Sequence, residues 1–432
     1  MQTNSNWKQF DTQYIWHPYT QMQLAPEALP VVRASGSYLY LEDGSTLFDA
    51  ISSWWLTLHG HAHPAIAQAI ATQAATLEQV IFAGFAHEPA AVLAQKLIER
   101  TPKGLAKIFF SDDGSTAVEV ALKMCLQYWL HHGEQRPTFL AVEGAYHGDT
   151  FGAMSASARG TFTDAFAPLL FDVIHLPFPT PPEDGTEGFS SAEEEFLKCL
   201  KREVTSNPSV AGFIYEPLLQ GAGGMKTWRP AILREALLMA REANILTIAD
   251  EVLTGFGRTG TFFASDTVEI TPDLMTLSKG LTGGFLPMGI TLATEAIYNA
   301  FLSNDRSKTF FHGHSYTGNP IACAAGVASL SIFEHEPVFE RIAAINRTHK
   351  KYMPQLAERL GYRYRILGTM AAMEPKLPEG YLSDRSREMA TACRAQGLLI
   401  RPLGDTIYLL PPYSSTKEDI ATAYQVIEKS WK

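Results

Sequence analysis

The chain has 432 residues and a formal net charge of −10, with 46% hydrophobic and 19% charged residues. That balance excludes intrinsic disorder, which needs low hydrophobicity and dense charge, and argues against nucleic acid or an anionic membrane as the main partner. At roughly 150 residues per domain, the length allows one to three domains with ample material for a large core.

The N-terminal MQTNSNWKQF has no apolar h-region, so a secretory signal is not expected. No run approaches the ~20 apolar residues of a membrane span, and a cytoplasmic address is the expectation. Val31-Val32 and Tyr38–Leu41 flank Ser35-Gly36, with Asp43-Gly44 following, which reads as a hairpin. Pro64 opens a helix-like stretch to Val80, with Ile66, Ala69, Ile70 and Leu77 near helical spacing. Strands are then expected at Lys107–Ser111, Thr138–Glu143, Val210–Glu216, Ile245–Asp250 and Asp273–Ser278. Helices are expected at Ser115–His132, Ala192–Val204 and Pro230–Ala243. Such alternation predicts βαβ units and a mostly parallel sheet, and the nearly continuous apolar character of several strands fits burial on both faces. Pro177–Ser190 reads as a surface excursion.

Beyond about residue 330 the pattern changes to long helices at Asn319–Glu334 and Pro337–Leu360. Strands follow at Tyr364–Leu367, Leu398–Arg401 and Ile407–Leu410, then a helix from Lys417 to Trp431. The fold class expected is α/β. A large domain over 61–329 carries the sheet, and a smaller α+β domain is built from residues 330–432 together with the N-terminal segment 1–60.

Ligands of open α/β sheets sit at the carboxyl ends of the strands. Five consecutive strand ends offer Asp113-Gly114-Ser115, Tyr146-His147-Gly148-Asp149, Glu216-Pro217, Asp250-Glu251 and Ser278-Lys279-Gly280. Gly114-Ser115 opens a helix whose free N–H groups suit a phosphate. Taken alone the pair reads as an ordinary N-terminus, with Ser115 or Thr116 capping and Glu119 near a capping-box position. Lys279 lies in a small apolar context, where a desolvated amine has a lowered pKa and can form a Schiff base. Asp250 can keep a pyridine nitrogen protonated, which makes the ring an electron sink. Tyr146 can lie against a flat ring. Together these are the parts that pyridoxal 5′-phosphate (PLP) requires.

The same ordered residues resemble the class III aminotransferases of PLP fold type I, over essentially the whole chain. Ile15–Thr20, Ser52-Ser53-Trp54-Trp55, Tyr146–Ser155 and Ile400-Arg401-Pro402 are the longest matching runs. The resemblance implies that Lys279 holds the cofactor and moves the proton, and that Asp250 bonds the pyridine nitrogen. It further implies that Gly114, Ser115 and Glu216 help bind the cofactor and that Tyr146 stacks on it. Gly313, His314 and Ser315 would come from the partner subunit of a homodimer with shared sites. His314-Ser315 stands where the family more often has Pro-Thr. Tyr19, Trp54, Trp55 and Asp149 would shape the substrate pocket, and Arg401 would pair with a substrate carboxylate. The implied substrates are 8-amino-7-oxononanoate and, as amino donor, S-adenosyl-L-methionine, with lysine as the alternative donor. Another ω-aminotransferase or an aminomutase of the same family is the runner-up.

Other patterns compete. Gly255-Phe-Gly-Arg-Thr-Gly260 spells G-x-G-x-x-G and raises a nicotinamide-dependent dehydrogenase. The residues after it do not read as a helix start, so a glycine-rich loop with Arg258 facing the site is expected instead. His59-x-His61-x-His63 and His312-x-His314 lack carboxylates or cysteines at ligand spacing and read as turns, so no metal is expected. Leu219–Met225 lacks a P-loop lysine and reads as an active-site loop. Cys125, Cys199, Cys323 and Cys393 lie far apart, as free thiols do.

Overall fold

The computed structural model describes residues 6–182, 188–377 and 384–431, so part of the expected surface excursion falls outside the described residues. Its central sheet has seven strands, in the order Leu105–Ser111, Gly289–Thr294, Leu274–Leu277, Leu246–Asp250, Val210–Tyr215, Thr138–Val142, Val173–Leu176. Only Gly289–Thr294 runs against its neighbours. Val210–Tyr215 is buried at every position, and each large apolar side chain so removed from water contributes about 1.5–3 kcal/mol.

All five strands expected in this block are present. Val173–Leu176 and Gly289–Thr294 were not anticipated as strands. The first is only four residues long. The second places Thr291 and Thr294 among apolar residues, which reads as half-exposed, yet Thr291 is buried, its hydroxyl donating to the Ala117 carbonyl at 2.8 Å.

The helix Gly114–His131 starts where expected, but its cap differs. Asp113 is the N-cap, its carboxylate accepting from Thr116 N at 2.7 Å while Thr116 Oγ1 accepts from Asp113 N at 3.1 Å. Glu119 instead accepts from Thr150 Oγ1, Gly152 N and Ala153 N at 2.6–3.1 Å, fixing the turn after Asp149. The helix from Pro64 ends at Ala74 rather than Val80. There Gln73 Nε2 takes the Leu77 carbonyl, and Asn319 and Gln79 tie residues 78–80 to the 315–319 loop. A helix at Glu88–Ile98, capped by His87, was not foreseen.

Near the chain ends, Val31–Ser35, Tyr38–Leu41 and Thr46–Asp49 form a sheet whose fourth strand is Leu398–Leu399, with Phe48 opposite Leu398. Tyr362–Leu367, the unforeseen Met370–Pro375 and Ile407–Leu409 form an antiparallel sheet. One core cluster runs from Phe48, Ala50 and Leu58 to Leu398, Ile407 and Tyr413, so both ends of the chain pack together. Just after Thr46–Asp49 the chain enters the segment that carries Trp54 and Trp55 to the sheet's carboxyl edge.

Candidate active site

Two cavities of about 550 and 600 Å³ meet at Trp55, Tyr146, Gly148 and Lys279. The smaller is lined by Gly114, Ser115, His147, Glu216 and Asp250, the larger by Tyr19, Trp54, Asp149 and Phe162. Residues from five strand ends thus converge at one place.

Lys279 follows the strand Leu274–Leu277 and begins a short 3-10 turn. Its Nζ makes no hydrogen bond or ion pair among the described residues and lies 5.0 Å from the Trp55 ring centroid. Burial pushes its pKa down, with Asp250 and Glu216 opposing the shift. Asp250 ends its strand and is 4% exposed. One carboxylate oxygen accepts from Val252 N at 3.1 Å and Thr276 Oγ1 at 3.3 Å. The other lies 2.7 Å from His147 Nδ1. His147 Nε2 is buried with no partner among the described residues. Glu216 accepts from Tyr146 N at 3.2 Å and Gly221 N at 2.9 Å. Burial raises its pKa to about 7, with nearby His147 pulling down and Asp250 pushing up.

Ser115 stands at the second residue of its helix and accepts from Asp149 N at 3.0 Å. Gly148 has φ +134°, and a Cβ there would lie 2.1 Å from Ser115 Oγ. Only glycine lets the aromatic-bearing loop close on the helix end. The Tyr19 hydroxyl donates to the Asp149 carboxylate, and its ring meets Trp54 edge-on at 5.2 Å. Tyr146 is pushed up by burial and by hydrogen bonding to Tyr19.

The residues fit PLP on their own geometry. A desolvated amine, a buried carboxylate, a helix N-terminus with a serine hydroxyl and a glycine-only approach border one cavity, the donor set that a phosphorylated pyridine with an aldehyde needs.

Not every expected residue joins them. Arg401 lines neither cavity; its guanidinium lies 4.5 Å from the Trp54 ring centroid and borders two neighbouring clefts that share Trp54. Gly313, His314 and Ser315 also line neither cavity. His314 N bonds Thr317 Oγ1 at 3.0 Å, and the Ser315 carbonyl accepts from Gln79 Nε2 at 2.9 Å. Arg258 does not face the site: it is fully buried and donates to the carbonyls of Pro411, Trp55 and Thr57. Residues 255–260 run through turns into further turns, not into a helix, which removes the dinucleotide-binding reading. The histidines of 59–63 diverge to Ser329, Asp49 and Glu336.

The sequence reading gave no role to His147, Met154, Arg159, Phe162, Glu374 or Thr406, all of which border one or other cavity. His147 was visible beside Tyr146 as the residue at a strand end next to a carboxylate partner. Glu374 carried no signal, because its strand was itself unrecognised.

The class III aminotransferase family model matches residues 19–430. The adenosylmethionine-8-amino-7-oxononanoate aminotransferase of Synechococcus elongatus is 48% identical over 96% of this chain and 97% of its own length. A crystal structure of the enzyme with the same name from Methanocaldococcus jannaschii superposes with a TM-score of 0.92 at 35% identity, covering 98% of each chain. A PLP-bound amine transaminase from an uncultivated Pseudomonas species gives 0.88 at 29% identity, over 97% of this chain and 98% of that one. With this match over nearly the whole chain and this shared fold, the chain belongs to the class III aminotransferases, PLP-dependent enzymes of fold type I.

Proposed function

We propose that this chain transfers an amino group from S-adenosyl-L-methionine to 8-amino-7-oxononanoate, forming 7,8-diaminononanoate in biotin biosynthesis. PLP is its cofactor and a homodimer its working form. The observation that carries the reading is the junction of two cavities at Lys279: a polar one suited to the cofactor and an aromatic one suited to a long substrate. The names of the relatives supply the substrates.

Bound PLP supplies an electron sink for the carbon that loses its proton. Lys279 would hold it through Nζ, and the freed amine would move the proton between the substrate's amine-bearing carbon and the cofactor; burial lowers the amine's pKa, which favours its acting as a base. Asp250, held by Val252 N, Thr276 and His147, keeps a proton on the pyridine nitrogen. Ser115 and the helix N-terminus at Gly114 bind the phosphate. Glu216 fixes the Tyr146 loop by accepting from the Tyr146 backbone N–H, and Tyr146 would lie against the cofactor ring.

The aromatic cavity can bury substrate methylenes at about 0.8 kcal/mol each. Trp54, Trp55 and Tyr19 also suit a sulfonium cation and an adenine. Arg401 grips the substrate carboxylate once its guanidinium turns from the Trp54 face. The homodimer is supported by apolar exposure around the 313–315 loop, where Phe311 and Tyr316 are 75% and 67% exposed and Ile81 and Phe85 64% and 59%. Gly313, His314 and Ser315 would reach the partner's site.

Purified holoenzyme given 8-amino-7-oxononanoate with S-adenosyl-L-methionine, or with lysine, tests the reading. Turnover with the first donor is the expected result. Turnover only with lysine changes the donor, and no turnover of this ketone with either donor returns the chain to a different class III reaction.

A further inference from the structure

Four consecutive residues, Ser52, Ser53, Trp54 and Trp55, have φ of 51°, 45°, 79° and 77°. Elsewhere among the described residues, positive φ in non-glycine residues is isolated. A left-handed run of this kind crowds Cβ against the following carbonyl in every residue. It persists only where the surroundings over-determine it, and such strain clusters at functional sites.

The surroundings here are unusually complete. Asp49, fully buried, accepts with Oδ1 from Ile51 N at 3.3 Å and Ser53 N at 3.0 Å. Its Oδ2 accepts from Ser53 Oγ at 2.7 Å and lies 2.9 Å from His61 Nε2. Burial pushes the Asp49 carboxyl up, but His61 and Ser53 outweigh it and hold the group below the ordinary carboxylate range. At the far end, Arg258 Nη2 donates to the carbonyls of Trp55 and Thr57 at 3.2 and 3.4 Å. Ser52 Oγ donates to the Leu410 carbonyl at 2.7 Å, and Trp55 Nε1 to Tyr408 Oη at 2.9 Å. The turn places one indole beside Lys279 and the other between Tyr19 and Arg401.

We propose that Asp49, with His61 and Arg258, forms a buried clamp that positions the Trp54-Trp55 wall by holding Ser52–Trp55 left-handed, and so sets affinity for a long substrate. The inference rests on the reading that these tryptophans wall the substrate cavity. A right-handed relaxation of Ser53 or Trp54 would move the Trp55 indole away from Lys279 and the Trp54 indole away from Tyr19, without touching Asp250 or the phosphate end.

The test uses holoenzyme variants Asp49→Asn, Ser53→Ala and the double variant Asp49→Asn with Ser53→Gly. Asp49→Asn keeps the bound-cofactor absorbance, raises KM for 8-amino-7-oxononanoate about tenfold or more, and leaves kcat within about threefold. Amide hydrogen exchange of the peptide spanning residues 51–57 accelerates with it. Ser53→Ala, which removes one leg of the clamp and keeps the backbone bond, moves both readouts the same way by less and carries the test if Asp49→Asn does not fold. Glycine at position 53 takes positive φ freely, so the double variant recovers part of the KM loss. Unchanged KM and exchange overturn the clamp. So does a fall in cofactor content and kcat with KM untouched, or a double variant no better than Asp49→Asn. If wild-type protein does not use this ketone, the substrate reading fails, and the exchange measurement still judges the clamp.

Discussion

On the cofactor side of Lys279, the polar lining comes from the carboxyl ends of strands in one sheet, and Asp250 and Glu216 are each fixed by backbone N–H groups. Asp250, Glu216 and His147 are almost wholly buried. On the substrate side, Tyr19 is 46% exposed, Arg401 rests on an indole, and the two tryptophans sit on a strained turn drawn from the N-terminal part of the chain. The first half needs an unmoving electrostatic frame. On the proposed reading the second must admit and release two substrates in turn, and it holds the more exposed residues, with Tyr19 tied to Asp149 and Arg401 resting on Trp54.

Variants on the two sides should therefore fail differently. The largest effect is expected at Asp250→Asn, which keeps the side chain's volume but cannot hold a proton on the pyridine nitrogen. Cofactor absorbance should persist while kcat falls about a hundredfold or more, the scale for removing one preorganised electrostatic partner. Single-turnover absorbance changes measure it, and near-normal kcat would remove Asp250 from its role.

Gly148→Ala should come next, and should damage retention rather than chemistry. Its Cβ would meet both the side chain and the backbone of Ser115. The loop or the helix end must shift, and the cofactor should dissociate about tenfold more readily. Gly36→Ala, also at positive φ but with nothing within 4 Å, controls for backbone strain alone. Equal cofactor loss in both would refute the close-approach argument.

Arg401→Ala, on the substrate side, should raise KM for the carboxylate-bearing ketone about tenfold, the worth of one charge-assisted hydrogen bond. The half-reaction with a donor lacking that carboxylate should change much less. Equal losses in both half-reactions would mean that Arg401 only supports Trp54.

This difference between the halves also decided what could be read in advance. Lys279, Asp250, Glu216 and Gly114-Ser115 follow apolar strands, so a local pattern and the strand-end rule locate them together. Trp54 and Trp55 were visible only through family resemblance, since nothing in Ser-Ser-Trp-Trp announces left-handed backbone. That conformation is imposed by Asp49, Leu410, Tyr408 and Arg258, of which three lie hundreds of residues away in sequence. Arg258 was expected at the site because its glycine-rich neighbours sit after Asp250. Three carbonyl partners in the interior claim it instead. Gly289–Thr294 was missed because its threonines look like solvent positions, yet the tertiary bond to Ala117 makes Thr291 core.

The smallest expected effect concerns Glu216 and separates burial from chemistry. Its folded pKa of about 7 stands above the ordinary value of 4.5. Between those values the folded protein binds more protons than the unfolded chain, so this group's contribution to stability is fully present below about 4.5 and is lost as pH rises through about 7. Glu216→Gln keeps an acceptor for Tyr146 N or Gly221 N and cannot ionise. Cofactor-free wild type and variant should then have similar Tm near pH 4.5, and the variant should be the more stable by a few degrees near pH 8. Glu251, raised by burial to about 6, titrates in both proteins and cancels in the difference. Parallel Tm curves across this range would mean that Glu216 stays ionised throughout, stabilised by His147 more strongly than burial opposes it.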